Sequence, residues 1–227
     1  MRYADFEQIM SPVRMSRYLV ACGNNTKKAM TLYRFNLRLS QELFTIISCF
    51  EITLRNSIDH HCLSMFGNDW LKLAAIQGGI FANHQCRLTS ININDAVNKL
   101  RQSYTHNKLV AELGFGFWRY LFASNQYTAT GRSLLRILPA KPTSSSAVQY
   151  NQTFVFNQLA QINSLRNRIA HHEPVCFQTG STVKDTTYIR QHYVLIQQLF
   201  QWMSVDESAL LYGLDHINSI CNDIDNL

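Results

Sequence analysis

The sequence predicts an all-α fold. Apolar residues recur at helical spacing along most of the chain, sustained strand alternation is absent, and the breaks fall at glycine, proline and Asn/Ser clusters that cap or stop helices. Ser11-Pro12 reads as a helix start, a capping hydroxyl followed by proline in the first turn. That helix runs to about Cys22 and stops at Gly23-Asn24-Asn25. A longer helical region spans about Thr26 to Met65, before Gly67. As one rod it would measure about 60 Å at 1.5 Å per residue, so a break is expected near Asn36 to Ser40. Leu39, Leu43, Ile46, Ile47, Phe50 and Leu54 form its core-facing stripe.

Gln77-Gly78-Gly79 and the Asn-rich stretch before Asn94 read as loop, and a helix follows from about Asp95 to Tyr104. Gly114-Phe115-Gly116-Phe117-Trp118 reads as a helix start packed on the core; GxG without a preceding strand is weak evidence for a phosphate cradle. Lys141-Pro142-Thr143-Ser144-Ser145-Ser146 is linker-like, yet the chain is expected to form one helical domain over 1–227. A helix from about Val148 to His172 must end before Pro174. Helices at about Asp185–Met203 and Asp206–Ile224 close the chain, the last with Asp206-Glu207 at its positive end. Trp70, Trp118 and Trp202 read as core anchors. Tyr188, His192 and Tyr193 suit core or interface, and His84 and His106 suit exposed loops.

Hydrophobic residues make up 46% of the chain and charged residues only 16%, which suits a polar, sparsely charged surface, part of it covered by a partner. The net charge of +6 and pI near 9.1 favour a polyanion partner, nucleic acid ahead of an anionic membrane. Six cysteines without a CxxC pair read as reduced core thiols, and no cysteines have zinc-ligand spacing. Asp5 and Glu7 interrupt any N-terminal apolar region, and no stretch reaches the roughly 20 apolar residues of a membrane helix. The expectation is a cytosolic protein without membrane, metal or cofactor.

One string carries chemistry: Leu165-Arg166-Asn167-Arg168-Ile169-Ala170-His171-His172, followed by Glu173-Pro174. Asn167 and His171 are four residues apart and about 40° apart in helical projection, so they share a face. Arg166 projects about 140° from His171. Its long side chain reaches the same edge if the last turn unwinds. His171 stands at the helix C-terminus, the negative end of the macrodipole, which suits a cationic side chain. An arginine fork, an amide and a histidine suit a phosphodiester: the fork binds phosphate oxygens and the imidazole moves protons near neutral pH. A plain helix C-cap, where basic residues are favourable for stability alone, explains the same residues equally well.

Arg166 to His171 matches the R-x4-H motif of the HEPN superfamily, and the wider string resembles the Abi-like abortive-infection proteins (the AbiD/AbiF group). Leu32-Tyr33 with Asn36, Leu39 and Ser40 agree with that resemblance, as do Glu51 through Leu54-Arg55-Asn56, Gly67 with Trp70, and Phe115 to Trp118; together they span roughly residues 15 to 200. The resemblance implies a HEPN-like helical bundle with additional helices, and metal-independent RNA cleavage at a site composed across a homodimer. Arg166 would contact the scissile phosphate. His171 would serve as general acid or base for attack by the 2′-hydroxyl, and Asn167 would orient the histidine or substrate. Arg168 and His172 are supporting candidates. It further implies an effector of phage abortive infection or of a toxin–antitoxin system, with RNA as substrate and an RNA or protein antitoxin as restraint. The alternative is a non-catalytic RNA-binding or partner-binding module on the same scaffold.

A second string, Arg55-Asn56-Ser57-Ile58-Asp59-His60-His61, repeats R-N-x-I-x-H-H, and Glu51 lies four residues before Arg55 in ion-pair orientation. Three readings stand: a second motif, a supporting set of Glu51, Arg55, Asn56 and His60, or a structural polar network. Support or structure is favoured, because Asp59 beside His60 opposes phosphate.

Overall fold

Ser11, at φ 77°, separates two short helices, α1 (Tyr3–Met10) and α2 (Pro12–Ala21), in a computed structural model describing residues 1–227. The Arg14 N–H donates to Ser11 Oγ, so the expected cap forms. Gly23, at φ 59°, ends α2 where the spacing predicts.

The expected break in the next region is absent: α3 (Thr26–Phe66) is one 41-residue helix. Neither glycine nor proline interrupts it. Its hydroxyls at Thr31, Thr45, Ser48 and Thr53 each donate to the carbonyl four residues back, so they are satisfied within the helix without breaking it. Asn36, at the start of the stretch where length suggested a break, stays helical and turns its amide to Val175 and Cys176. The predicted stripe from Leu39 to Leu54 is buried throughout.

Next come α4 (Trp70–Ala75), α5 (Arg87–Leu100), α6 (His106–Glu112), α7 (Phe115–Tyr120) and α8 (Ser124–Ala129). The Asn-rich stretch expected as loop lies within α5, where Ile93 alternates with exposed amides and packs inward. The chain closes with α9 (Gln152–Ala170), α10 (Thr187–Trp202), α11 (Glu207–Leu210) and α12 (Ile217–Asp225). The single last helix expected from the sequence is therefore two, parted at Gly213 (φ 73°), and Asp215 Oδ1 accepts the Ile217 N–H at the second start. One isolated bridge, Phe177 with Lys184, is the sole strand-like pairing, so the fold is all-α.

Two compact units divide the chain. The first comprises Met1–Ser48, Ser164–Gln197 and Glu207–Leu227; the second comprises Cys49–Asn163 and Gln198–Asp206. The linker-like 141–146 segment lies within the second unit. In the first unit, Tyr18 packs edge-on against both Tyr33 and Phe177, beside fully buried Met15 and Leu32. Burying such side chains contributes about 1.5–3 kcal/mol each. In the second unit Phe50 packs on Phe115 and Phe200, and Trp70 and Trp118 are buried as anchors.

Four of the six free cysteines are buried and two half-buried. Burial pushes the Cys62 and Cys176 thiols up to about 12, so neither supplies a thiolate near neutral pH. No helix is long and apolar enough to cross a membrane.

Candidate active site

Leu165 and Ile169 are buried and fix which face of α9 meets the core of the first unit. Arg166 is half-buried beside them, and Asn167, His171 and His172 are exposed. No hydrogen bond or ion pair within the chain holds the side chains of Arg166, Asn167 or His171. An arginine fork, an amide and an imidazole thus end α9 with their polar atoms unclaimed.

The backbone beneath them is strongly held. The last turn does not unwind early: the His171 N–H still donates to the Asn167 carbonyl at 2.9 Å, which keeps these two residues on one helical face. His172 then turns into the left-handed region at φ 57°. Its N–H donates to Ile169 O, and the Glu173 N–H to Arg168 O. These two bonds make a Schellman turn, with histidine where glycine is usual. The helix accordingly ends two residues short of His172.

Three further side chains pin the segment after the motif. Asn36, 5% exposed, accepts the Val175 N–H at 2.8 Å and the Cys176 N–H at 3.3 Å. Arg14 Nη1 donates to His172 O at 3.3 Å. Arg168 Nη2 donates to Pro174 O at 2.9 Å, while its Nε lies 3.5 Å from Glu173 and its guanidinium covers Tyr188. Arg17 holds the following loop, donating to Gln178 O and Ser181 O and lying over Phe177. A cleft of about 440 Å³ opens among Arg17, Arg168, Glu173, Gly180 and Tyr188. Behind it His192 Nδ1 donates to Tyr188 O at 2.8 Å; burial, with Arg168 nearby, lowers its pKa. Tyr193 is likewise buried, as expected of core.

Sequence reasoning did not give Asn36, Arg14 or Arg17 a role in this segment. Asn36 carried a signal, because it interrupts an apolar stripe between Tyr33 and Leu39, where a buried amide needs a partner. Arg14 and Arg17 carried none.

The Arg55 string belongs to the second unit. Asp59 is buried and its Oδ1 receives Trp70 Nε1 and His106 Nε2, both at 2.7 Å. His106 is thus a half-buried partner of Asp59, not the exposed loop residue expected, because the carboxylate draws its ring inward. His61 Nε2 meets Ser133 Oγ at 2.7 Å. Asp59 and His61 are therefore bound into structural pairs. Asn56 and His60 are exposed, and Glu51 and Arg55 are half-buried. The expected Glu51–Arg55 ion pair does not form; Arg55 Nε is buried without a partner. No group of three or more His, Cys, Asp or Glu side chains is arranged to hold a metal ion.

The model of the Abi-like protein family matches residues 3–176, which include both strings. The chain belongs to the Abi-like protein family. Membership supports a part in abortive infection for this Abi-like protein. The matched region ends at Cys176, the second N–H held by Asn36, so the family match contains Asn36, Arg14 and the whole Arg166–His171 turn. Searches of curated proteins and of solved structures returned no match to the Abi-like chain.

Proposed function

We propose that this Abi-like protein is a metal-independent endoribonuclease of the HEPN type, the toxic effector of an abortive-infection or toxin–antitoxin system. The observation that carries the reading is the unclaimed set of Arg166, Asn167 and His171 on a turn whose backbone is pinned by Asn36, Arg14 and Arg168. Side chains free to meet a ligand on a fixed backbone suit catalysis better than capping, since a cap would spend their polar atoms on the helix end.

The chemistry follows from the residue types. The Arg166 fork binds the non-bridging oxygens of the scissile phosphate and stabilises charge that builds on them. A base takes the proton of the 2′-hydroxyl, whose oxygen attacks phosphorus. The P–O5′ bond breaks, and an acid returns a proton to the leaving oxygen. The products are a 2′,3′-cyclic phosphate and a 5′-hydroxyl, and DNA is not cut because it lacks the nucleophile. His171 of one copy serves as base and that of a second copy as acid, so a homodimer completes the site. Asn167 orients the imidazole or the substrate. Arg168 holds the turn, and His172, Glu51, Arg55, Asn56 and His60 support RNA binding. The net charge of +6 favours RNA both as substrate and as neutralising antitoxin.

Incubating the purified chain with labelled RNA, with and without EDTA, tests the reading. Cleavage that survives EDTA is the expected result. RNA binding without cleavage would favour a non-catalytic binding module on the same scaffold, and EDTA-sensitive cleavage would contradict the metal-independent step.

A further inference from the structure

The second unit holds a cleft of about 920 Å³ that the reading above leaves unused. This volume suits a small polar ligand. Arg119 of α7 lines it, with its guanidinium carbon 4.3 Å from the centre of the Phe156 ring and 5.5 Å from that of Tyr120. The Arg119 Nε is buried and has no hydrogen-bond partner, and no carboxylate lines the cleft to neutralise the charge. A stacked, immobilised guanidinium with unspent donors is a site prepared for an anion. Arg87, at the start of α5, and His84 add exposed basic side chains. The amides of Asn92, Asn125 and Asn163 add donors and acceptors able to read a base edge. Exposed Tyr120 offers a ring for stacking. The wall is fixed where Gln126 Nε2 donates to Thr89 Oγ1 at 3.0 Å.

We propose that this cleft binds a nucleotide, free or as one residue of an RNA strand, with Arg119 and Arg87 taking the phosphate and the amides and Tyr120 taking the base. The proposal stands apart from the ribonuclease reading, because it uses none of the same residues. Calorimetric titration of the full chain in the His171→Ala background, which prevents cleavage, with AMP, GMP, inorganic phosphate and a single-stranded 12-mer RNA tests it. A nucleotide or the strand binds, and Arg119→Lys, which keeps charge and stem packing but loses the fork, weakens binding about tenfold. Exposed Arg87→Ala weakens it several-fold, and both variants melt near the parent temperature. Mononucleotides binding as well as the strand identify a free nucleotide; strand binding alone identifies an RNA residue. No binding, inorganic phosphate binding as tightly as AMP, or unchanged affinity in the folded Arg119→Lys and Arg87→Ala variants overturns the proposal. Loss of RNA cleavage in His171→Ala with nucleotide binding retained separates this site from the Arg166 motif.

Discussion

Asn36 Oδ1 and the Val175 N–H, 139 positions apart in sequence, meet at 2.8 Å in a buried contact. The bond ties the N-terminal third of α3 to the first residue after Pro174. The proposed chemistry needs the Arg166–His171 turn held still, and this bond, with those from Arg14 and Arg168, does the holding.

Replacing Asn36 by Ala leaves the Val175 and Cys176 N–H groups without that acceptor. A loss of about 1–3 kcal/mol in unfolding free energy is expected. RNA cleavage is expected to fall more than the folded fraction does, because the turn loses its anchor. Urea titration together with a cleavage assay on the folded fraction checks both; a variant with parental stability would show that the amide bond does not matter.

His172 occupies a left-handed position at φ 57°, where a side chain meets the following carbonyl. His172→Gly removes that strain and is expected to gain roughly 0.5–1 kcal/mol, net of the entropy glycine loses on folding. Thermal unfolding reads this as a rise of about 1–4 °C. A fall in the midpoint would mean that the imidazole contributes more than the strain costs.

Asp59 accepts from Trp70 and His106 inside the second unit. Asp59→Ala leaves both donors unpaired and is expected to cost about 2–3 kcal/mol. Asp59→Asn keeps an acceptor oxygen and is expected to cost less than half of that. Equal losses in denaturant titration would show that the charge, not the acceptor, is what counts.

Burial holds the His192 and His61 pKa values below the ordinary 6.5, with Arg168 and Arg136 respectively acting in the same direction. Below pH 6.5 the unfolded chain therefore binds protons that the native chain refuses. Stability rises with pH through this window and falls on acidification below about 6.5. Comparing denaturation midpoints at pH 7.5 and 5.5 should show the loss, and His192→Gln should reduce it. An unchanged pH dependence in that variant would rule out His192 as a source.

Much of this fold was legible because its signals are local. Ser11-Pro12, Gly23 and Gly114 each mark a helix boundary that the structure keeps. The Leu39–Leu54 stripe is buried because helical spacing alone sets its face. Three elements were misjudged where a local signal met a tertiary one. The Thr26–Met65 region looked too long for one rod, but it runs unbroken and the Asn36 amide within it is spent on a segment distant in sequence. The Asn-rich stretch in α5 looked like a loop, but Ile93 packs inward and its amides face solvent. The last helix looked continuous, but Gly213 and the Asp215 cap part it. At the candidate site, Arg166, Asn167 and His171 are close in sequence and could be found there. Arg14, Arg17 and Asn36 reach the same segment only through folding, so no spacing rule announces them.

The central claim rests on Arg166 and His171, and one measurement tests it most directly. End-labelled RNA is incubated in EDTA with the parent chain, Arg166→Ala and His171→Ala, and the product ends are identified by mass. The account predicts fragments ending in 2′,3′-cyclic phosphate from the parent and at least a hundredfold slower cleavage by each folded variant, in keeping with loss of a general acid–base or charge-stabilising group. Parental rates in both variants, or 3′-hydroxyl ends from the parent, would contradict it.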